Sequence, residues 1–160
     1  MRKSVISNSS STARPAAHGE WKDIEAIAQV EITSEDAQFP IEQALGGDAT
    51  AGWRAAKTGP QVIRLVFDEP QTLRRVHLHF VERESERSQE FALFAGWEGE
   101  MREVVRQQWA FSPHGSTEEI EEYGVELDGI RTLELRIDPD RSHDPKSSKA
   151  FASLQEMRVA

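Results

Sequence analysis

Apolar side chains recur at every second position along most of this chain, and the breaks in that rhythm mark its elements. Val30 and Ile32 alternate with polar neighbours, the pattern of a half-buried strand. Ahead of them Trp21, Ile24 and Ala28 stand at helical spacing and predict a short leading helix. The segment IEQALGGDATAGW contains Gly46, Gly47 and Gly52 and few strand formers. It predicts an irregular loop running into a short strand at Trp53.

The stretch GPQVIRLVFDEPQTLRRVHLHF carries the strongest signal. Ile63, Leu65 and Phe67 alternate with Val62, Arg64 and Val66, so this strand is apolar on both faces and belongs in the middle of a sheet. DEPQ predicts a turn, because Pro70 has no N–H for a ladder and fixes its own φ. Beyond it Val76, Leu78 and Phe80 share one face of a second strand, and Arg75, His77 and His79 share the other.

The rhythm resumes in EFALFAGW, where Gly96 and Gly99 bracket a turn into MREVVRQQWAF, with Val105, Trp109 and Phe111 on one side. Tyr123, Val125 and Leu127 restart the alternation after a loop at SPHGS. Ile120 has the wrong parity for that strand, which predicts a bulge, or the end of a loop, near Glu121 and Glu122. DGI predicts another turn, into RTLELRI with Leu133, Leu135 and Ile137 inward, and DPDRSHDPKSS is a polar loop. The tail fits two templates: Ala150, Leu154 and Met157 suit a helix, while Leu154, Met157 and Val159 suit a strand with one bulge. About eight short strands with almost no helix predict an all-β, antiparallel β-sandwich or jelly roll.

Composition narrows this picture. A chain of 160 residues is one domain by length, able to bury roughly 70% of its unfolded surface. Residues 1–18 are Ser-rich with one Pro and read as a disordered tail, leaving 19–160 as the domain. The net charge of −9 argues against general attraction to nucleic acid or anionic lipid. Glu118, Glu119, Glu121, Glu122 and Glu126 crowd one stretch, expected to be a solvated edge. The chain lacks cysteine, which excludes disulfides, thiolate metal sites and a cysteine nucleophile. The N-terminus has no apolar core of the kind a secretory signal needs, and no run of about 18 apolar residues exists to span a membrane. The expectation is a cytoplasmic protein.

His77 and His79 leave the same face of a strand, a spacing that suits metal ligation. The surrounding pattern of a cupin-like metal site is missing, however. Gln71 and Phe91 stand where glycines are needed, and only His114 and His143 follow. With Val76, Leu78 and Phe80 claiming the core, the two imidazoles are expected on the outer face. No P-loop, Gly-x-Ser-x-Gly, dinucleotide-binding glycine pattern or His-Glu-x-x-His occurs, so no enzyme is expected. Among the tryptophans, Trp109 reads as core, Trp53 as a packing plug, and Trp97 in the GWEGE turn as the best exposed stacking platform. Arg54, Arg83 and Arg87 lie near strand ends, where guanidinium groups can hydrogen-bond a ligand.

ALGGDATAGW, then GPQVIRLVFDEPQTLRRVHLHF, then ASLQEMRVA resemble the discoidin or coagulation-factor C-type domains of the galactose-binding-like superfamily, with the small stand-alone bacterial members nearest in pattern. The likeness covers about residues 29 to 160 and implies an eight-stranded jelly-roll sandwich whose last strand returns near the first. It thereby favours the strand reading of the tail. It implies non-catalytic recognition, often of carbohydrate, through loops at one end of the sandwich, with Trp97, Arg83, Arg87 and Arg54 as the candidate residues. A protein-interaction scaffold is the alternative, and a cupin-like metalloenzyme the remote one. No cofactor is required. Members often hold a structural Ca²⁺, for which Asp48 and Glu156 match the acidic positions, although Gly46 and Ala51 replace two side-chain ligands.

Overall fold

The computed structural model describes residues 21–46, 51–97, 99–144 and 147–160; the tail of residues 1–18 and Asp48 lie outside them. In chain order the elements are α1 (Ile24–Ile27), β1 (Ala28–Ile32), α2 (Glu42–Leu45), β2 (Trp53–Thr58), β3 (Gln61–Val81), β4 (Arg87–Trp97), β5 (Glu100–Phe111), β6 (Glu118–Asp138), β7 (Phe151–Leu154) and β8 (Glu156–Val159). The expected all-β antiparallel sandwich is what forms.

β3 and β6, each 21 residues long, pair with one another almost end to end. The ladder is regular from Gln61↔Ile137 to Val66↔Thr132, and again from Arg75↔Gly124 to Val81↔Glu118. Between these runs the register shifts three times. Two residues of the sequence make that corner possible. Pro70 offers no N–H to the ladder, and Gly129 adopts φ +65°, which side chains rarely tolerate. Bulges of this kind bend paired strands without breaking them. The turns expected at DEPQ and DGI are therefore corners inside two continuous strands.

The first half of β3 and the second half of β6 lie in the order β1–β3–β6–β4–β5, while β8 adds to the second half of β3. The second half of β3 and the first half of β6 fold over that sheet. Phe80 stacks on Phe91 of β4 with ring centroids 5.2 Å apart, and Tyr123 meets the same ring edge-on at 6.3 Å. Leu73, Val76, Leu78, Leu93, Leu133 and Leu135 are all fully buried between the layers. Burying each such side chain stabilises the fold by roughly 1.5–3 kcal/mol. β2 and β7 form a separate two-stranded ribbon.

Other local expectations shift. The leading helix is only one turn, because Ala28 already pairs with Phe67 in β1. Within the segment expected to be irregular, Glu42–Leu45 forms a helical turn that buries Ala44 and Leu45. The tail is strand, interrupted at Gln155, whose N–H donates to the His79 carbonyl at 2.8 Å. That interruption absorbs the parity change and lets Leu154, Met157 and Val159 all point inward.

No bulge lies near Glu121. Pairing is regular from Gly124 to Glu118, so Ile120 simply faces outward, 55% exposed, while Glu119 enters the core. Part of the supposed solvated edge is thus interior. Gln89 Nε2 donates to Glu119 Oε1 at 3.2 Å. Burial, with the nearby Glu121 carboxyl, pushes the Glu119 carboxyl up to about 9.

Unfolded, Glu119 titrates near the ordinary 4.5. Between that pH and about 9 the folded chain keeps a proton that the unfolded chain gives up. Stability contributed by protonated Glu119 is therefore complete below the lower pH and falls as pH rises, by up to about 1.4 kcal/mol per unit. Urea unfolding should show this decline, and Glu119→Gln should flatten it, stabilising the protein at pH 8 with little change at pH 4. An unaltered pH slope in that variant would exclude a buried acid at this position.

Candidate functional site

Strand direction defines two ends of the sandwich. One holds the β3–β6 corner, together with Ala160 bonded to Arg75 and Lys22 bonded to the Val159 carbonyl. The other holds the end of β3, the start of β4 and the beginning of β2. A cleft of about 170 Å³ opens at this second end, lined among others by Phe39, Trp53, Arg54, Arg83, Ser153 and Gln155.

One wall is built from β2. Trp53 is fully buried and its Nε1 donates to the Ser34 carbonyl at 3.1 Å, so it is the expected packing plug. Gly52 precedes it with φ +76°, and a Cβ there would fall 2.6 Å from the Leu154 carbonyl oxygen. Only glycine lets the chain pass this close to β7. Arg54 then faces outward by strand parity, exposed, with its guanidinium 5.4 Å from the Phe39 ring centre. Its backbone is held on both sides: its N–H donates to the Phe39 carbonyl at 3.1 Å, and its carbonyl accepts from Asp36 at 2.8 Å. Arg54 also borders a shallower depression of about 430 Å³, beside Glu35, Asp36 and the 43%-exposed ring of Phe151.

The opposite wall, Val81 to Glu84, is fixed from below. Arg87 is almost completely buried, with its guanidinium 4.9 Å from the Phe111 ring centre. Its Nε donates to Glu82 Oε1 at 2.8 Å, and its Nη1 donates to the Pro139 carbonyl at 2.8 Å. Glu82 Oε2 accepts from the N–H groups of Glu84 at 3.1 Å and Ser85 at 3.2 Å. Burial works to raise the Glu82 carboxyl, but the hydrogen bonds from Arg87 and the two amides outweigh it and hold the group below its ordinary value. This clamp sets the turn that presents Arg83 to the cleft.

The structure therefore brings Arg54 and Arg83 together, while Arg87 supports the turn from inside. Trp97 is elsewhere. It lies ten residues along β4 from Arg87, roughly 33 Å away at about 3.3 Å per residue. There its Nε1 donates to the Asp128 carbonyl at 2.7 Å, and Arg102 covers the ring at 5.2 Å. The same indole packs against the core, so it closes the corner end and does not offer a free platform. Trp109, expected in the core, is half-buried and donates to Ser116 Oγ at 3.1 Å. Phe39, Ser153 and Gln155 were not legible as site residues. Phe39 has a weak signal, an aromatic just before Pro40 in a polar loop, whereas the other two enter only through the β2–β7 pairing.

His77 and His79 lie on the outer face, as expected from the inward Val76, Leu78 and Phe80. They are paired with carboxylates as well as wet. His77 Nδ1 is 2.5 Å from Glu122 Oε2, and His79 Nε2 is 3.0 Å from Glu118 Oε1. Glu156 lies on this same face, with Oε1 3.6 Å from His77 Nε2 and Oε2 accepting from Arg158 Nε at 2.6 Å. Its oxygens are engaged by cationic and imidazole partners. Among the described residues no group of three or more His, Asp or Glu side chains is arranged to hold a metal ion. Asp140, Ser142 and His143 cluster, yet Ser142 Oγ and Asp140 Oδ2 both approach His143 Nδ1, at 3.2 and 2.9 Å. A nucleophile activated by that imidazole would need the other nitrogen.

No family model and no curated protein matches the chain. Solved structures do. A pectin-binding carbohydrate-binding module has a TM-score of 0.59 at 14% identity, covering 83% of this chain and 89% of its own. A family 32 module of Clostridium perfringens NanJ, in complex with galactose, has a TM-score of 0.58 at 17% identity, covering 87% and 96%. The family 32 module of AlyQ, in complex with 4,5-unsaturated mannuronic acid, has a TM-score of 0.51 at 20% identity, covering 84% and 95%. These neighbours belong to the galactose-binding-like superfamily, so the likeness of the sequence motifs extends to the fold.

The Arg87 clamp yields a direct test. Arg87→Met should cost about 3–5 kcal/mol in chemical denaturation, because it leaves Glu82 without its buried partner. It should also release the 82–85 turn, visible as faster amide exchange at Glu84 and Ser85. Unchanged exchange at those two amides would show that the clamp does not hold the turn.

Proposed function

We propose that this protein is a non-catalytic carbohydrate-binding module that takes a saccharide into the cleft between Arg54 and Arg83. The observation that carries this reading is the cleft itself. It sits at the end of a galactose-binding-like sandwich opposite the β3–β6 corner, and it combines the Phe39 ring, two guanidinium groups and the polar Ser153 and Gln155. A sugar ring needs this mixture. Its C–H face packs on an aromatic or aliphatic surface while its hydroxyls take directed hydrogen bonds. The cleft is smaller than the roughly 300–1,000 Å³ of drug-sized sites, which suits one sugar unit, and the depression beside Phe151 gives a second unit room.

Much of the frame is set before a ligand arrives. Arg54 is backed by Phe39 and Arg83 is presented by a clamped turn, so little ordering entropy opposes binding at those points. Two neighbours of the same fold are described with bound sugars, galactose in one and an unsaturated uronate in the other. These complexes support the reading by analogy of fold.

Isothermal titration with an oligosaccharide panel should find binding in the micromolar to millimolar range. Arg54→Ala and Phe39→Ala should each weaken it at least tenfold, while Trp97→Ala, at the far end of β4, should leave it intact. Loss of binding in the Trp97 variant alone would place the site at the other end of the molecule.

A further inference from the structure

We infer that the cleft selects carboxylated saccharides, with Arg54 and Arg83 receiving the carboxylate of a hexuronate unit. This rests on the saccharide-binding reading above and names the ligand class of that site. The observation behind it is the way arginines are used across the molecule. Acids outnumber bases, 28 Asp and Glu against 19 Lys and Arg, so a guanidinium meets a carboxylate readily. Among the described residues every arginine except Arg54, Arg83 and Arg131 lies within salt-bridge distance of one. Two of those three line the same cleft.

The nearby acids are held by other donors, not by these guanidinium groups. Glu82 is engaged by Arg87 and by two backbone amides. Across the adjoining depression, Glu35 Oε1 accepts from the Ile41 amide at 2.9 Å and Asp36 Oδ1 from the Gln38 amide at 2.9 Å. Among the described residues Glu84 is the one cleft acid whose carboxylate accepts no such bond, one charge set against two guanidinium groups. The net charge of −9 repels an anion at long range, but at physiological salt its field fades over about 8 Å. Local donors then decide, and a guanidinium presents a planar fork that matches a carboxylate. A neutral sugar uses only part of that donor capacity, so it forgoes the charge-assisted share of the binding energy.

Calorimetric titration of the wild-type protein should compare oligogalacturonate, the same oligomer methyl-esterified, and a neutral galacto-oligosaccharide. The acid should bind at least tenfold more tightly than its ester, with the advantage shrinking as salt is raised. Arg54→Gln with Arg83→Gln should bring the acid-to-ester ratio close to one, with an unchanged melting temperature establishing that the double variant is folded. Equal or tighter binding of the ester or the neutral oligomer overturns the carboxylate preference while leaving saccharide binding in place. Absence of binding by all three overturns both.

Discussion

The structure depends on one continuous hydrogen-bonded pair, β3 with β6, bent over at a bulged corner. Hydrogen bonding along the pair ties both layers of the sandwich together, each layer holding one regular run of the ladder. The bend then brings the apolar face of one half against that of the other. Phe80 and Tyr123 meet Phe91 across the interior because the corner is where it is. A slip of one residue in the second half of β3 would turn Val76, Leu78 and Phe80 outward and the two histidines inward. Burial of three large apolar side chains forbids that, and the outer position of His77 and His79 follows.

The candidate site inherits its geometry from the same frame. The end of β3 carries the turn with Glu82 and Arg83, and the break between β7 and β8 at Gln155 is tied to the β3 backbone at His79. Gly52 brings β2 against that break, and Arg54 follows two residues later. Two pieces of chain distant in sequence thus face each other across a cleft without either having a strong preference to be there. The Arg87 to Glu82 pair converts this arrangement into a fixed one. Arg87 is almost entirely shielded from water and Glu82 is 16% exposed, a setting where losing a partner costs more than at the open surface.

Electrostatics divide the molecule in an ordered way. Most arginines neutralise strand-face glutamates, as Arg64 does between Glu31 and Glu134 at 2.8 and 2.7 Å. Exposed pairs such as Arg64 with Glu31 contribute little to stability, typically below about 1 kcal/mol, but they occupy the charges. Among the described residues Arg54, Arg83 and Arg131 stand outside these pairs. Glu119 marks the opposite case, an acid carried into the core by strand parity and accommodated by holding its proton.

The period-2 pattern determined the fold class, the inward faces of the strands and the placement of His77 and His79, because alternation of apolar residues is a local property that burial must satisfy. The tail resolved the same way once Leu154, Met157 and Val159 all had to be inside. Local pattern also misled at particular residues. Pro70 and Gly129 look like turn residues and sit at corners, since a partner strand can carry the chain through a bend that it would not make alone. Ile120 looks like core, yet it faces out while Glu119 is in. The register of the whole β3–β6 ladder outweighs the preference of one side chain. Arg54 and Arg83 were visible singly, along with Arg87 and Trp97. Only the tertiary structure decided that the first two share a cleft, that Arg87 lies beneath it and that Trp97 is a strand's length away, because the distances between them are set by long-range pairing and packing.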